Sequence, residues 1–175
     1  MRIRFTRGRG KPDTLTCLRD DGTSTWCRLH PGFGAEHDLA HYAIETTLGY
    51  QQAFFGLIAS GRTIESFEEK NERNRAAYPL EPEAGWAEYL AGALQASRAS
   101  DVPFDAATVL EHMKTHVESR MQKGASMFTA TRSGGPFPYP EDLTDERLNA
   151  VRILWENLLD RWYAVPPDGH LELEF

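Results

Sequence analysis

Hydrophobic and polar residues alternate at both ends of the chain and recur at helical spacing between them. RIRFT (2–6), TLTCL (14–18) and TSTWCRL (23–29) are β-prone runs of period two, as half-buried strands require. Asp21-Gly22, between the second and third runs, predicts a hairpin turn. HLELEF (170–175) alternates again after the turn residues PPDG. The economical arrangement pairs this last strand with the N-terminal ones in a small antiparallel sheet.

The middle of the chain reads as helices. A long apolar run from about Glu36 to Ser60 ends before Gly61, which suits a C-cap. A short helix is expected over 64–76, interrupted by Pro79 and Pro82, and another over 83–98 with Trp86, Leu90, Ala93, Leu94 and Ser97 at helical spacing. Val109, Leu110, Met113, Val117 and Met121 form one stripe, and Leu148, Val151, Trp155, Leu158 and Trp162 another in a helix over 144–163. The segment 122–141 has no clear period, and its Phe128, Phe137 and Tyr139 suggest a loop lying over something apolar. The expected fold is α+β: one mainly helical domain over 1–175, with a small antiparallel sheet formed by the N-terminal hairpin and the C-terminal strand.

Composition changes this picture little, and charge changes it more. The chain has 175 residues, enough for one sizeable core, and no twenty-residue apolar run, so no membrane span is expected. The N-terminus lacks the apolar stretch of a secretory signal, and two cysteines, Cys17 and Cys27, do not make a disulfide scaffold. Cytoplasmic localisation with free thiols is the expectation. Arg2, Arg4, Arg7, Arg9 and Lys11 open the chain without an acid; the rest holds 14 basic and 26 acidic residues. That acidic body argues against nucleic acid as a partner and leaves a small molecule or a protein. The alternating arginines read as the solvated face of an edge strand, and the four tryptophans mostly match core positions.

The candidate chemistry lies in HDLAHYAIE (37–45). With His37 at zero, His41 falls near about 40°, Glu45 near about 80° and Asp38 near about 100° around a helix. They are the only ionisable side chains from 37 to 59 apart from tyrosines, and they enter a helix that is otherwise apolar on nearly every face. Buried imidazoles and carboxylates need hydrogen bonds, ion pairs or a metal. Histidines at i and i+4 can direct nitrogens to one ion, with Asp38 as base or orienting group and Glu45 placed to hydrogen-bond His41. Gly49 and Gly56 lie along one edge of the same run and would let another backbone or a ligand approach closely.

HDLAH resembles the HExxH signature of zinc metalloproteases, with Asp38 in place of the general-base glutamate. That resemblance implies His37 and His41 as zinc ligands and a further ligand downstream, for which Glu65, Glu68 and Glu69 are loose candidates. HDxxH also resembles the metal-binding motif of an accessory family in ubiquinone biosynthesis, whose later glutamate position holds Ala53 here. The wider run HDLAHYAIETTLGYQQAFFGLIASG, together with the terminal LELEF strand, resembles the signature of a small bacterial family of uncharacterised proteins.

HMKTH provides a second i,i+4 pair, His112 and His116, flanking the apolar stripe of its helix. Four histidines, two from each helix, could meet around one ion, or the second pair could be boundary residues. Two functions follow. The first is a small metal-dependent enzyme, a hydrolase by preference, with His37, His41, His112 and His116 as candidate ligands and Asp38 and Glu45 as candidate catalytic groups. Zn²⁺ is the expected ion, with iron or manganese as alternatives. The second is a non-enzymatic interaction protein in which His37, Asp38, His41 and Glu45 form a structural network.

Overall fold

The computed structural model describes residues 1–68, 81–100, 102–122 and 138–175. Four strands, β1 (Arg2–Thr6), β2 (Thr14–Leu18), β3 (Ser24–Arg28) and β4 (His170–Glu174), form an antiparallel sheet in the order β3-β2-β1-β4. The terminal strand pairs with β1, placing Ile3 opposite Leu173 and Phe5 opposite Leu171. Alternation then does the sorting. Ile3, Phe5, Leu15, Cys17, Leu171 and Leu173 turn inward while Arg2, Arg4, Glu172 and Glu174 stay in solvent. The basic strand β1 is solvated on one face as expected, but it is an inner strand rather than an edge. Arg4 pairs with Glu172 across its seam.

Helix α1 (Gly34–Leu48) lies at the centre, against α4 (Pro82–Ala99) on one side and α6 (Asp145–Tyr163) on the other. Leu39, Ala40, Ala43 and Ile44 are fully enclosed. Ala87 and Ala91 of α4 are fully buried in this core, and Trp155 of α6 donates its indole N–H to the Glu36 carbonyl at 3.0 Å. Trp155 and Trp162 fill core positions, whereas Trp26 stands on the outer sheet face with 53 % of its surface exposed.

The run expected as one helix from Glu36 to Ser60 is two. Gly49 adopts φ 75° and closes α1, donating its N–H to the Glu45 carbonyl. The chain then turns and restarts as α2 (Phe54–Ala59). Gly49 and Gly56 therefore do not share one helical edge. Gly49 is needed for its left-handed backbone, and nothing lies within 4 Å of where its Cβ would stand. Gly56 is needed for close approach, since a Cβ there would meet the Gln51 carbonyl oxygen at 2.3 Å.

Of the helix expected over 64–76, α3 (Glu65–Glu68) is described; positions 69–80 lie outside the described residues. Helix α5 (Ala106–Gln122) buries Val109, Met113 and Val117 along its stripe, while the side chain of Met121 lies outside the description. Most of the 122–141 segment, with Phe128 and Phe137, is likewise outside it. Tyr139 lies within it, its ring 5.8 Å from the Lys114 ammonium, and the adjacent Pro138 carbonyl accepts the Trp86 indole N–H. No described helix is long and apolar enough to cross a membrane.

Candidate metal centre

One turn of α1 separates His37 from His41, so both imidazoles project from the face toward α4, with their planes inclined at 70°. Their Nε2 atoms come within 3.2 Å. From α4, Glu88 brings one carboxylate oxygen to 3.5 Å from His41 Nε2 and the other to 3.6 Å from His37 Nε2. Among the described residues, these three side chains offer ligand atoms that all lie within 4.8 Å of one another. Two nitrogens bound tetrahedrally at 2.0–2.1 Å from one ion would stand about 3.3 Å apart. The imidazole spacing already has that value.

The far side of each ring decides how its near side is protonated. His37 Nδ1 lies 3.0 Å from the Gln95 side-chain oxygen, which accepts and so holds the proton on Nδ1. His41 Nδ1 faces Glu45 Oε1 at 3.6 Å, and neither atom has a hydrogen-bond partner among the described residues. A carboxylate there favours an Nδ1 proton as well. Both Nε2 lone pairs then point at the same small volume, beside a third acceptor. That arrangement is repulsive unless a positive charge sits between them.

Burial opposes charge on His41, but the facing Glu45 and Glu88 carboxylates overcome it and push the imidazole up to about 10. His37 is raised chiefly by its bond to Glu88, against the effect of burial. Glu88 is partly desolvated, yet the two imidazoles pull its carboxyl well below the usual range. In the metal-free protein a proton supplies the charge that the site demands.

Glu45 is wholly buried and serves two elements at once. Its Oε2 accepts the backbone N–H groups of Phe55 and Gly56, at 2.9 and 3.1 Å, which are otherwise unpaired in the first turn of α2. Its Oε1 is thereby fixed toward His41. Desolvation raises the Glu45 carboxyl, opposed by His41 and these two amides. Asp38 borders a smaller cavity of about 230 Å³ with His37, Phe54 and Phe67. Burial pushes its carboxyl up to about 6 despite the attraction of His41 and His37.

The structure does not bring the four histidines together. His112 and His116 stand exposed on α5 and border a cavity between α4 and α5, with the His116 ring 5.9 Å from Tyr89. Among the downstream candidates, Glu65 instead accepts the Thr25 hydroxyl. The side chain of Glu68 and the whole of Glu69 lie outside the described residues, and Ala53 is buried just before α2. The third ligand candidate, Glu88, and the residue holding His37, Gln95, were both missed from sequence. They are seven residues apart and thus share a face of α4, a spacing that carries a signal only once α4 is known to face the histidines.

The chain matches no protein-family model, no curated protein and no solved structure. The geometry stands without analogy: a His/His/Glu cluster capable of holding a divalent ion.

Proposed function

We propose that this protein is a small metal-dependent enzyme of hydrolytic type, holding one divalent ion between His37 Nε2, His41 Nε2 and Glu88. The observation that carries this reading is the 3.2 Å convergence of two imidazole nitrogens whose opposite nitrogens face acceptors. Histidine ligands are commonly oriented by such outer partners. Three protein ligands leave a position for water or substrate, as catalytic zinc sites do. A bound ion there would supply Lewis acidity.

Asp38 is the proposed proton acceptor, since a carboxyl raised to about 6 works near neutral pH. Glu45 is proposed to position His41 rather than to touch substrate. Zinc suits this donor set, and an open two-histidine, one-carboxylate site also suits iron(II) or manganese. The HDxxHxxxE pattern, proposed as the mark of a small bacterial family, would then record two ligands and the residue that orients one of them.

Elemental analysis of untagged protein grown with supplementary metals tests the reading. Near-stoichiometric metal in the wild type, lost in His37→Ala/His41→Ala, is the expected result. Fully folded, metal-free wild type would overturn it. Chelator-sensitive ester hydrolysis lowered by Asp38→Asn would support the hydrolytic assignment.

A second reading keeps the same residues as a structural network in a protein-binding molecule. The two α2 amides on Glu45 favour it, because they tie helices together without needing an ion. Under that reading the double-histidine variant loses stability and the wild type carries no metal.

A further inference from the structure

Glu88 has a second neighbourhood. Besides facing His37 and His41, it borders a cavity of about 420 Å³ between α4 and α5, within the roughly 300–1,000 Å³ typical of small-molecule sites. Gly92 and Ala93 on α4 and Val109, Met113 and Val117 on α5 make its walls apolar, while His112 and His116 add imidazoles. Among the described residues that line it there is no lysine or arginine, so these residues offer no cation to a phosphate. Its small-residue wall leaves room: a Cβ built at Gly92 meets no atom of the described residues within 4 Å.

We infer that this cavity binds the apolar part of a small amphiphile, a medium-length aliphatic chain whose polar, metal-binding head reaches the ion position at Glu88. The inference rests on the proposed metal site and names the substrate class that site would take. Three features argue for this occupant. The walls reward burial of hydrocarbon, Glu88 and the net charge of -7 disfavour a polyanion, and Glu88 is common to the cavity and the His/His/Glu cluster. A chain lying along α4 would end at Glu88, which also faces both imidazoles.

Two hydroxamic acids test it, because their heads are identical and uncharged when free while their tails differ. Metal-free, ¹⁵N-labelled protein is titrated with octanohydroxamic and acetohydroxamic acid. The octyl compound is expected to bind at least about tenfold tighter, since each buried methylene contributes, and to shift the amides of Gly92 and Val109. Gly92→Phe, or Ala96→Phe should the first variant fail to fold, is expected to remove that advantage by filling the cavity.

Cobalt(II)-loaded protein then reports the head group. Octanohydroxamate should change the visible spectrum of the wild type, and His37→Ala/His41→Ala should lose that change yet keep the amide shifts. Equal binding of the two acids, or binding unaffected by the cavity-filling variants, overturns the cavity assignment. A wild type that takes up no cobalt but retains selective octyl binding overturns the head-to-metal link and identifies the metal reading as the part that failed.

Discussion

Glu45 and His41 face each other through two otherwise orphaned atoms, Oε1 and Nδ1, 3.6 Å apart in a space closed to solvent. The other Glu45 oxygen is committed to the first amides of α2, so the orientation of an imidazole on α1 is fixed by where α2 begins. The turn at Gly49 makes this possible, because it brings Phe55 and Gly56 back over Glu45.

Replacing that carboxylate separates its two duties. Glu45→Gln keeps an oxygen for the α2 amides but presents an N–H to His41, which forces the ring proton from Nδ1 to Nε2. Metal affinity should fall about 10–100-fold, the usual cost of losing an outer partner, with a smaller loss of stability. Glu45→Ala leaves buried amides unpaired and should cost about 2–4 kcal/mol. Urea denaturation and metal titration of both variants check the split.

Glu88 should behave in the opposite way. Its side chain is 62 % exposed, and its partners are imidazoles rather than backbone amides. Glu88→Gln is expected to weaken metal binding at least about tenfold while changing the stability of the metal-free protein by under about 1 kcal/mol. Equal metal affinity in the variant and wild type, measured by competition with a chromophoric chelator, would remove Glu88 from the ligand set.

The pH dependence follows from His41. Its pKa rises from 6.5 to about 10 on folding, so the folded state holds a proton that the unfolded state releases. The resulting stabilisation is complete below pH 6.5 and is lost as pH climbs toward 10, by at most about 1.4 kcal/mol per pH unit. Urea midpoints of the metal-free protein should therefore fall between pH 6.5 and 8.5. Metal must displace that proton, so apparent metal affinity should rise over the same interval, by up to about tenfold per pH unit. A flat midpoint together with pH-independent affinity would contradict the charge assignment.

The two glycines predict different failures. Gly49→Leu should destabilise by about 1–2 kcal/mol because an L-residue resists the left-handed backbone, with no collision to relieve. Gly49→Asn should recover part of the loss. Gly56→Ala should cost more, since its methyl overlaps the Gln51 carbonyl and would displace an amide held by Glu45. Denaturation midpoints that rank Gly56→Ala as the milder change would refute this distinction.

Much of the fold was legible because it rests on periodicity. Alternation in RIRFT and HLELEF predicts which side chains β1 and β4 bury, and the stripes ending in Trp155 and Trp162 predict the inner face of α6. The break after Leu48 was hidden because hydrophobicity continues through Ala53, Phe54 and Phe55, and a single left-handed glycine outweighs it. The approach of His37 to His41, and of Glu45 to His41, was visible from local spacing. The approach of Glu88 and Gln95 depends on how α4 crosses α1, and no local pattern records a crossing. Likewise, i,i+4 spacing at His112 and His116 fixes a face of α5 but not what that face meets.

X-ray absorption on protein reconstituted with one equivalent of Zn²⁺ reads the ligand set of the His37–His41–Glu88 cluster. Two imidazole nitrogens are expected among four or five light-atom neighbours at about 2.0–2.1 Å, with the imidazole signature lost in His37→Ala/His41→Ala. A spectrum indistinguishable from hydrated zinc, or one unchanged by the double substitution, would contradict that ligand set.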